Sequence, residues 1–449
     1  MAITSDVVVV GGGLAGVTAA LSAAREGADV RLLSHKQSTL QQASGLVDAL
    51  GYVPPTDSPD DPASTPTAGR TGGIDDRRDP DGPLADPYAA IDRLPAGHPY
   101  RLVGADALRE GLALFDGTVP GYRGGHTDRN ALLPTFGGAL KPTARYPASA
   151  AAGLASDDRP MLVVGFRSLS AYDARMVADR LSTAGVPFPV AGVEVEFPAA
   201  FRDDATITRV AHALDRDEPV GGRPARAALA AAVEPHLGSV DGGAARVGFP
   251  AFLGDDEAAA VRADLADRLG AAPFEVPMGP PSLPGLRLQD RLYAALDDVG
   301  VRYETGVPVV DAEVDGDRVE GLLVDRTGTE VPYAAESVVL ATGGLVGKGI
   351  DSDRDEVFEP VLGCHVPQPA DRYEWFVEDT FGDQPYARFG VRTDDRLRPL
   401  GPDDDVQYRN VTVAGATLAG ADVAREKSAS GVSLATGLVA GRAAAEVSG

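Results

Sequence analysis

The 449-residue sequence predicts an α/β protein of Rossmann type, with a largely parallel sheet whose strands stop on glycine turns. Three observations predict it. Residues 7–10 are four valines that run straight into Gly11, Gly12 and Gly13. The same strand-to-glycine stop returns at 161–165 and at 337–344. Helical spacing follows the first two stops, and that alternation builds parallel sheets with crossover helices.

The first turn is the most informative element. Gly11, Gly13 and Gly16 form GxGxxG directly after a strand. Leu14, Val17 and Leu21 then mark an apolar helix face, Gly27 ends the helix, and residues 29–33 form the next strand. In this setting Gly11 permits the tight turn, Gly13 admits a phosphate to the backbone, and Gly16 lets helix and strand pack closely. The first helical residues, Leu14 and Ala15 among them, present unpaired N–H groups to an anion. An acid to hold the ribose is expected about 20 residues on. Ser34 and His35 stand there instead, so the adenosine half of a dinucleotide is held differently or is absent, and a mononucleotide stays open.

The chain divides as follows. Residues 1–53 are the first part of a nucleotide-binding domain. Residues 54–97 form an acidic insertion rich in Pro, Asp and Gly, expected to be exposed and mobile because it has too few apolar residues to offset its chain entropy. Residues 98–285 form an inserted α+β cap. Within it, 105–115 has helical spacing, 135–143 reads as turn-rich β, and 161–165, 170–181 and 190–197 read as strand, helix and strand. Residues 286–449 complete the first domain and end in an alanine-rich helix over 430–447, with Ser430 as its expected N-cap.

Composition narrows the function. The net charge is −25, and of the 41 cations only Lys36, Lys141, Lys348 and Lys427 are lysines. Such a field disfavours nucleic acid and anionic lipid as partners and suits solubility at high salt, the surface of a halophile. No stretch reaches the roughly 20 apolar residues of a membrane span. One cysteine, Cys364, excludes an internal disulfide or a cluster ligated by this chain alone, and no histidine spacing suggests a metal site.

Beyond the second strand, Gln37, Ser38, Thr39, Ser44 and Gly45 crowd hydroxyls and amides together, as a flavin's phosphate and polar ring edge require. Residues 389–399, with Asp394 and Arg398, resemble the GGIxTDxxxR segment of fumarate-reductase-like flavoproteins. Residues 410–417, with Gly415, resemble their Ala-Gly strand end, and Thr342 and Gly343 match the second turn of a two-dinucleotide-binding fold. Ser430 and Gly431 open the last helix, whose N-terminus would favour negative charge on a reduced flavin. With Asp48, His98-Pro99-Tyr100, residues 163–165, the 280–289 stretch PPSLPGLRLQ, residues 359–363 and 397–399, the chain resembles the B-subunit family of the anaerobic glycerol-3-phosphate dehydrogenases.

That resemblance implies a flavin, FMN as the family has it, with FAD possible from the GxGxxG turn. It also implies glycerol 3-phosphate as substrate, a second flavoprotein subunit and an iron–sulfur subunit as partners, and delivery of electrons to quinone from the inner face of the membrane. The 427–431 segment is poorer in glycine than the family pattern. Alcohol oxidation beside a phosphate calls for a base and for cations on the phosphate. Arg287 is the first candidate for the phosphate, with Lys141, Arg145 and Arg398 behind it. His98 and His126 are the candidate bases. Three roles stay open from the residues: a dehydrogenase, an electron relay without substrate, and a scaffold that has lost its cofactor. A fumarate-reductase-like oxidoreductase is the runner-up enzyme.

Overall fold

The computed structural model describes residues 2–36, 38–54, 82–196, 207–280, 282–380 and 382–448. The valine run forms the strand Ile3–Val10, and Val7, Val8 and Val9 are fully buried between layers. Burial of each valine contributes about 1.5–3 kcal/mol, so this strand anchors the sheet. Among the described residues the sheet has seven strands. Its path runs Arg302–Thr305, Val30–Ser34, Ile3–Val10, Glu330–Leu340, Arg318–Asp325 and Val309–Asp315, and Val411–Val413 also pairs with Glu330–Leu340. The pairings among the first four strands, and that with Val411–Val413, are parallel. The Val309–Asp325 hairpin is antiparallel.

The helix Leu14–Arg25 follows the first strand and packs against the terminal helix Ala429–Ser448. The approach is close: a methyl at Gly437 would sit 2.5 Å from the Ala15 carbonyl, and one at Gly441 would sit 2.2 Å from that of Ala19. A second sheet, ordered Ala272–Val276, Arg246–Pro250, Met161–Phe166 and Val190–Val195, is wholly parallel and has its own apolar cores.

Two expectations change. Residues 55–81 of the expected insertion lie outside the described residues, but Tyr88, Ala90, Ile91 and Leu94 are buried in the main core, so exposure does not extend through 97. The helix predicted at 105–115 begins earlier, as Pro99–Thr118 with a break at Gly104, and it packs on the terminal helix rather than on the second sheet. Tyr100, Leu108, Leu112 and Phe115 supply its apolar face. Periodicity marks such a face without saying what covers it.

Candidate functional site

The first and third glycine stops converge, while the one at 161–165 lies in the second sheet. Ala341 N–H donates to the Val10 carbonyl at 2.9 Å, which sets the ends of two strands from opposite ends of the chain side by side. Gly11 has a φ of +121°, and a methyl there would lie 2.1 Å from the Ala341 carbonyl oxygen. Gly343 N–H donates to Thr417 Oγ1 at 2.9 Å, and Thr342 Oγ1 lies 3.5 Å from the same hydroxyl. Gly415 abuts Ala15: a methyl on it would be 2.6 Å from Ala15 Cβ. Thus Gly11 to Gly16, Thr342, Gly343 and Gly415 meet at the carboxyl ends of the parallel strands, where ligands bind in open α/β sheets.

The turn itself fits a phosphate. Gly16 packs so tightly that a methyl would stand 1.9 Å from the Gly11 carbonyl. Gly13 is different: a methyl there meets nothing nearer than Thr39 Oγ1, at 3.8 Å. The helix N-terminus behind Gly13 has no side-chain cap and no acid in its first turn. Its N–H groups and dipole are therefore left for an external anion. Ser38 caps the 3₁₀ turn Thr39–Gln42 by accepting from Leu40 N–H, which holds Thr39 opposite Gly13. Ser34 Oγ donates to the Lys36 carbonyl at 2.7 Å. Tyr293 Oη donates to the Gly12 carbonyl at 3.2 Å, and burial raises its pKa. Gln37 lies outside the described residues.

The other helix terminus at the site is closed by protein. Ser430 N–H donates to Asp48 Oδ1 at 2.7 Å, so Asp48 caps the terminal helix and Ser430 is its second residue, not its N-cap. Local sequence cannot reveal a cap that arrives from 382 residues away. Lys141 Nζ pairs with Asp48 Oδ2 at 2.9 Å. Gly431 lets the helix touch the Asp48 loop: a methyl would be 2.9 Å from Ala49 Cα. Ser44 caps the turn before Leu46, and Gly45 lies against Pro284, with its carbonyl accepting from Tyr122 Oη at 2.9 Å.

Three candidates are held by identifiable partners. His98 is fully buried; its Nδ1 accepts from Tyr100 N–H at 3.1 Å and its Nε2 faces Glu426 Oε2 at 3.1 Å. Glu426 also accepts from Ser428 Oγ and from Asp422 N–H. His98→Ala is expected to cost about 2–3 kcal/mol in thermal unfolding, because the Glu426 carboxylate and the Tyr100 N–H lose a buried partner. Arg287 is buried and bidentate to Glu275 of the second sheet, at 2.7 and 3.0 Å, and also donates to the Gly254 carbonyl. Burial opposes the charge on Glu275, yet Arg287 holds its pKa below the usual carboxylate value. Arg398 donates from Nε and Nη2 to the single oxygen Asp394 Oδ2, at 2.9 and 2.6 Å, closing a loop whose Leu397 carbonyl accepts from Val413 N–H. His126, the other candidate base, is exposed at a different cavity. Cys364 is buried in the main core, and burial raises its pKa well above the ordinary value.

A cavity of about 550 Å³ opens where the parts meet. Ser44, Thr135, Phe136, Lys141, Met278 and Lys427 line it. Lys427 was not among the sequence candidates, though the scarcity of lysine could have flagged it. Its backbone is left-handed, with φ 53° and ψ 57°, at the end of the short helix Val423–Glu426. A side chain there costs about 1 kcal/mol relative to glycine. Burial, then the nearby Lys141 charge, lowers its pKa.

The FAD binding domain family matches residues 6–432. A relative from Halobacterium salinarum, named as a probable B subunit of anaerobic glycerol-3-phosphate dehydrogenase, is 54% identical over 99% of both chains. Relatives from Yersinia enterocolitica and Pectobacterium atrosepticum, named as B subunits of the same dehydrogenase, are 28% and 29% identical, over 96% of each chain. Among solved structures, an open flavocytochrome c3 fumarate reductase matches at 11% identity and TM-score 0.42, covering 99% of this chain and 79% of that one.

Proposed function

Because the chain belongs to the FAD binding domain family and to the B-subunit family of the anaerobic glycerol-3-phosphate dehydrogenases, we propose that it is the flavin-bearing subunit that takes part in oxidising sn-glycerol 3-phosphate to dihydroxyacetone phosphate. The observation that carries this is the open cradle at Gly13, backed by an uncapped helix N-terminus and bordered by Thr342, Gly343 and Gly415. A bound flavin supplies the hydride acceptor for a secondary alcohol. The chain's own residues would do the rest. Gly13, Leu14 and Ala15 would hold the flavin phosphate on backbone N–H groups, and Ser38, Thr39 and Ser44 would add hydroxyl contacts. Thr342, Gly343 and Gly415 would border the ring, while Asp48 and Ser430 would fix the terminal helix beside it.

FMN fits this frame better than FAD. No acid stands at the end of the second strand, Ser34 is engaged locally, and Tyr293 Oη closes the space beside Gly12. The second sheet would act as the cap, joined to the main sheet through Arg287 and Glu275. Electrons would leave through a second flavoprotein subunit and an iron–sulfur subunit to quinone. No helix among the described residues is long and apolar enough to cross a membrane, and attachment to the inner face would be peripheral, through a partner. An electron-relay role is the second reading, favoured by one observation: both ring nitrogens of His98, the buried candidate base, are already engaged.

Purified protein should be yellow, and acid should release FMN identified by chromatography. Bleaching of the flavin by sn-glycerol 3-phosphate under anaerobic conditions, without partner subunits, would place substrate oxidation on this chain. Yellow protein that stays oxidised would assign it the relay role. A colourless, folded protein that takes up no added flavin would overturn both.

A further inference from the structure

We infer that Lys141 and Lys427 form the subsite that takes the phosphate of a small phosphate monoester, an inference that rests on the substrate oxidation proposed above. The chain carries four lysines in 449 residues at a net charge of −25, and two of the four meet in one cavity. Among the described residues, no carboxylate lines that cavity. In a chain with 66 acids, the wall of this cavity carries two lysines, one of them paired behind the wall with Asp48, and acid is kept off the lining itself.

The two lysines are placed there by different means. Lys141 comes from the Leu140–Thr143 strand and is held by Asp48, which accepts from it with one oxygen and from Ser430 N–H with the other. One of three ammonium donors is thereby fixed, and the others remain for a ligand. Lys427 sits in a left-handed backbone that glycine would occupy without strain. It is half-buried, and its Nζ reaches back to the Ala424 carbonyl at 2.5 Å, a contact an incoming anion can replace. Thr135 and Ser44 add hydroxyls on the same walls. About 550 Å³ is ample for a three-carbon phosphate ester. Ser44, a proposed flavin contact, also lines this cavity, which sets the two proposed sites next to each other.

The test is calorimetric titration of full-length, flavin-loaded protein with sn-glycerol 3-phosphate, inorganic phosphate and glycerol, at one fixed high KCl concentration. Wild-type protein should bind the ester and inorganic phosphate, but not glycerol. Lys427→Gly should weaken ester binding about tenfold while raising the melting temperature slightly, because the left-handed strain is removed. Lys141→Met with Lys427→Gly should weaken it about a hundredfold. Flavin content of Lys427→Gly should match wild type. Unchanged ester affinity in Lys427→Gly would overturn the proposal, as would loss of flavin, which would put the flavin's own phosphate on the lysines. A yellow wild-type protein that binds no phosphate ester would defeat the subsite while leaving the flavin assignment standing.

Discussion

A Gly13→Val variant is expected to fold and to purify colourless. Gly13 has extended backbone, with φ −79° and ψ −178°, which valine adopts without strain. A methyl at that position meets no atom closer than 3.8 Å. The apoprotein should therefore keep its stability within about 1 kcal/mol, and restricting the unfolded chain could add a few tenths. The γ-carbons would fill the space in front of the uncapped helix N-terminus, where a flavin phosphate must approach to reach the N–H groups. Flavin affinity should fall at least about a hundredfold, which is about 2.7 kcal/mol. Fluorescence titration of apoprotein with FMN measures it directly. Gly16→Ala makes the instructive contrast, because its methyl would lie 1.9 Å from the Gly11 carbonyl and the turn itself would have to open. That variant should lose structure along with flavin, whereas Gly13→Val should lose flavin alone. Normal flavin occupancy in Gly13→Val would place the phosphate somewhere else.

The second large effect lies at the joint between the sheets. Arg287→Met should destabilise the protein by about 3–5 kcal/mol, because it strands the buried Glu275 carboxylate. Glu275 is 2% exposed, so little water is available to replace the guanidinium. Adding Glu275→Gln should restore most of the loss, since the uncompensated charge rather than the missing bond is the larger penalty. The pH dependence has a definite sign. Against the opposing effect of burial, Arg287 depresses the folded pKa of Glu275 below the ordinary 4.5. The ion pair's contribution is then fully present above about pH 4.5 and fades as pH falls through the lower, folded value. The gap in stability between wild type and Arg287→Met should accordingly narrow in acid. Denaturant unfolding at matched KCl from neutral pH downward would measure it. A variant as stable as wild type but unable to bind glycerol 3-phosphate would instead return Arg287 to the substrate.

The amino-terminal turn was legible because every requirement on it is local. A buried strand, a glycine with positive φ, an open glycine and a close-packed glycine fall within residues 6–16, and the backbone shows each at its expected position. The strand at 161–165 and the helix and strand after it were legible for the same reason, and they shift by only a few residues at their ends. The Pro99–Thr118 helix was legible as a helix but not as a neighbour of the terminal helix. Amphipathic periodicity records that one face is buried, while the partner is chosen by the path of the whole chain.

The candidate site was half legible. The glycines and hydroxyl residues that would hold a flavin were named from motif context. The roles of the charged residues were not, because a charge takes its meaning from whichever opposite charge reaches it. Arg287 meets Glu275, Arg398 meets Asp394, His98 meets Glu426, and Lys141 meets Asp48; the last two pairs join residues far apart in the chain. Neighbouring residues alone set the backbone of the glycine turns, since φ, ψ and hydrophobic period are local properties. Tertiary contacts alone assigned the ionic groups, giving Arg287, Arg398 and His98 to carboxylates within the fold and bringing Lys141, with its Asp48 partner, to one cavity with Lys427, since Coulomb attraction acts across space and takes no account of distance along the chain.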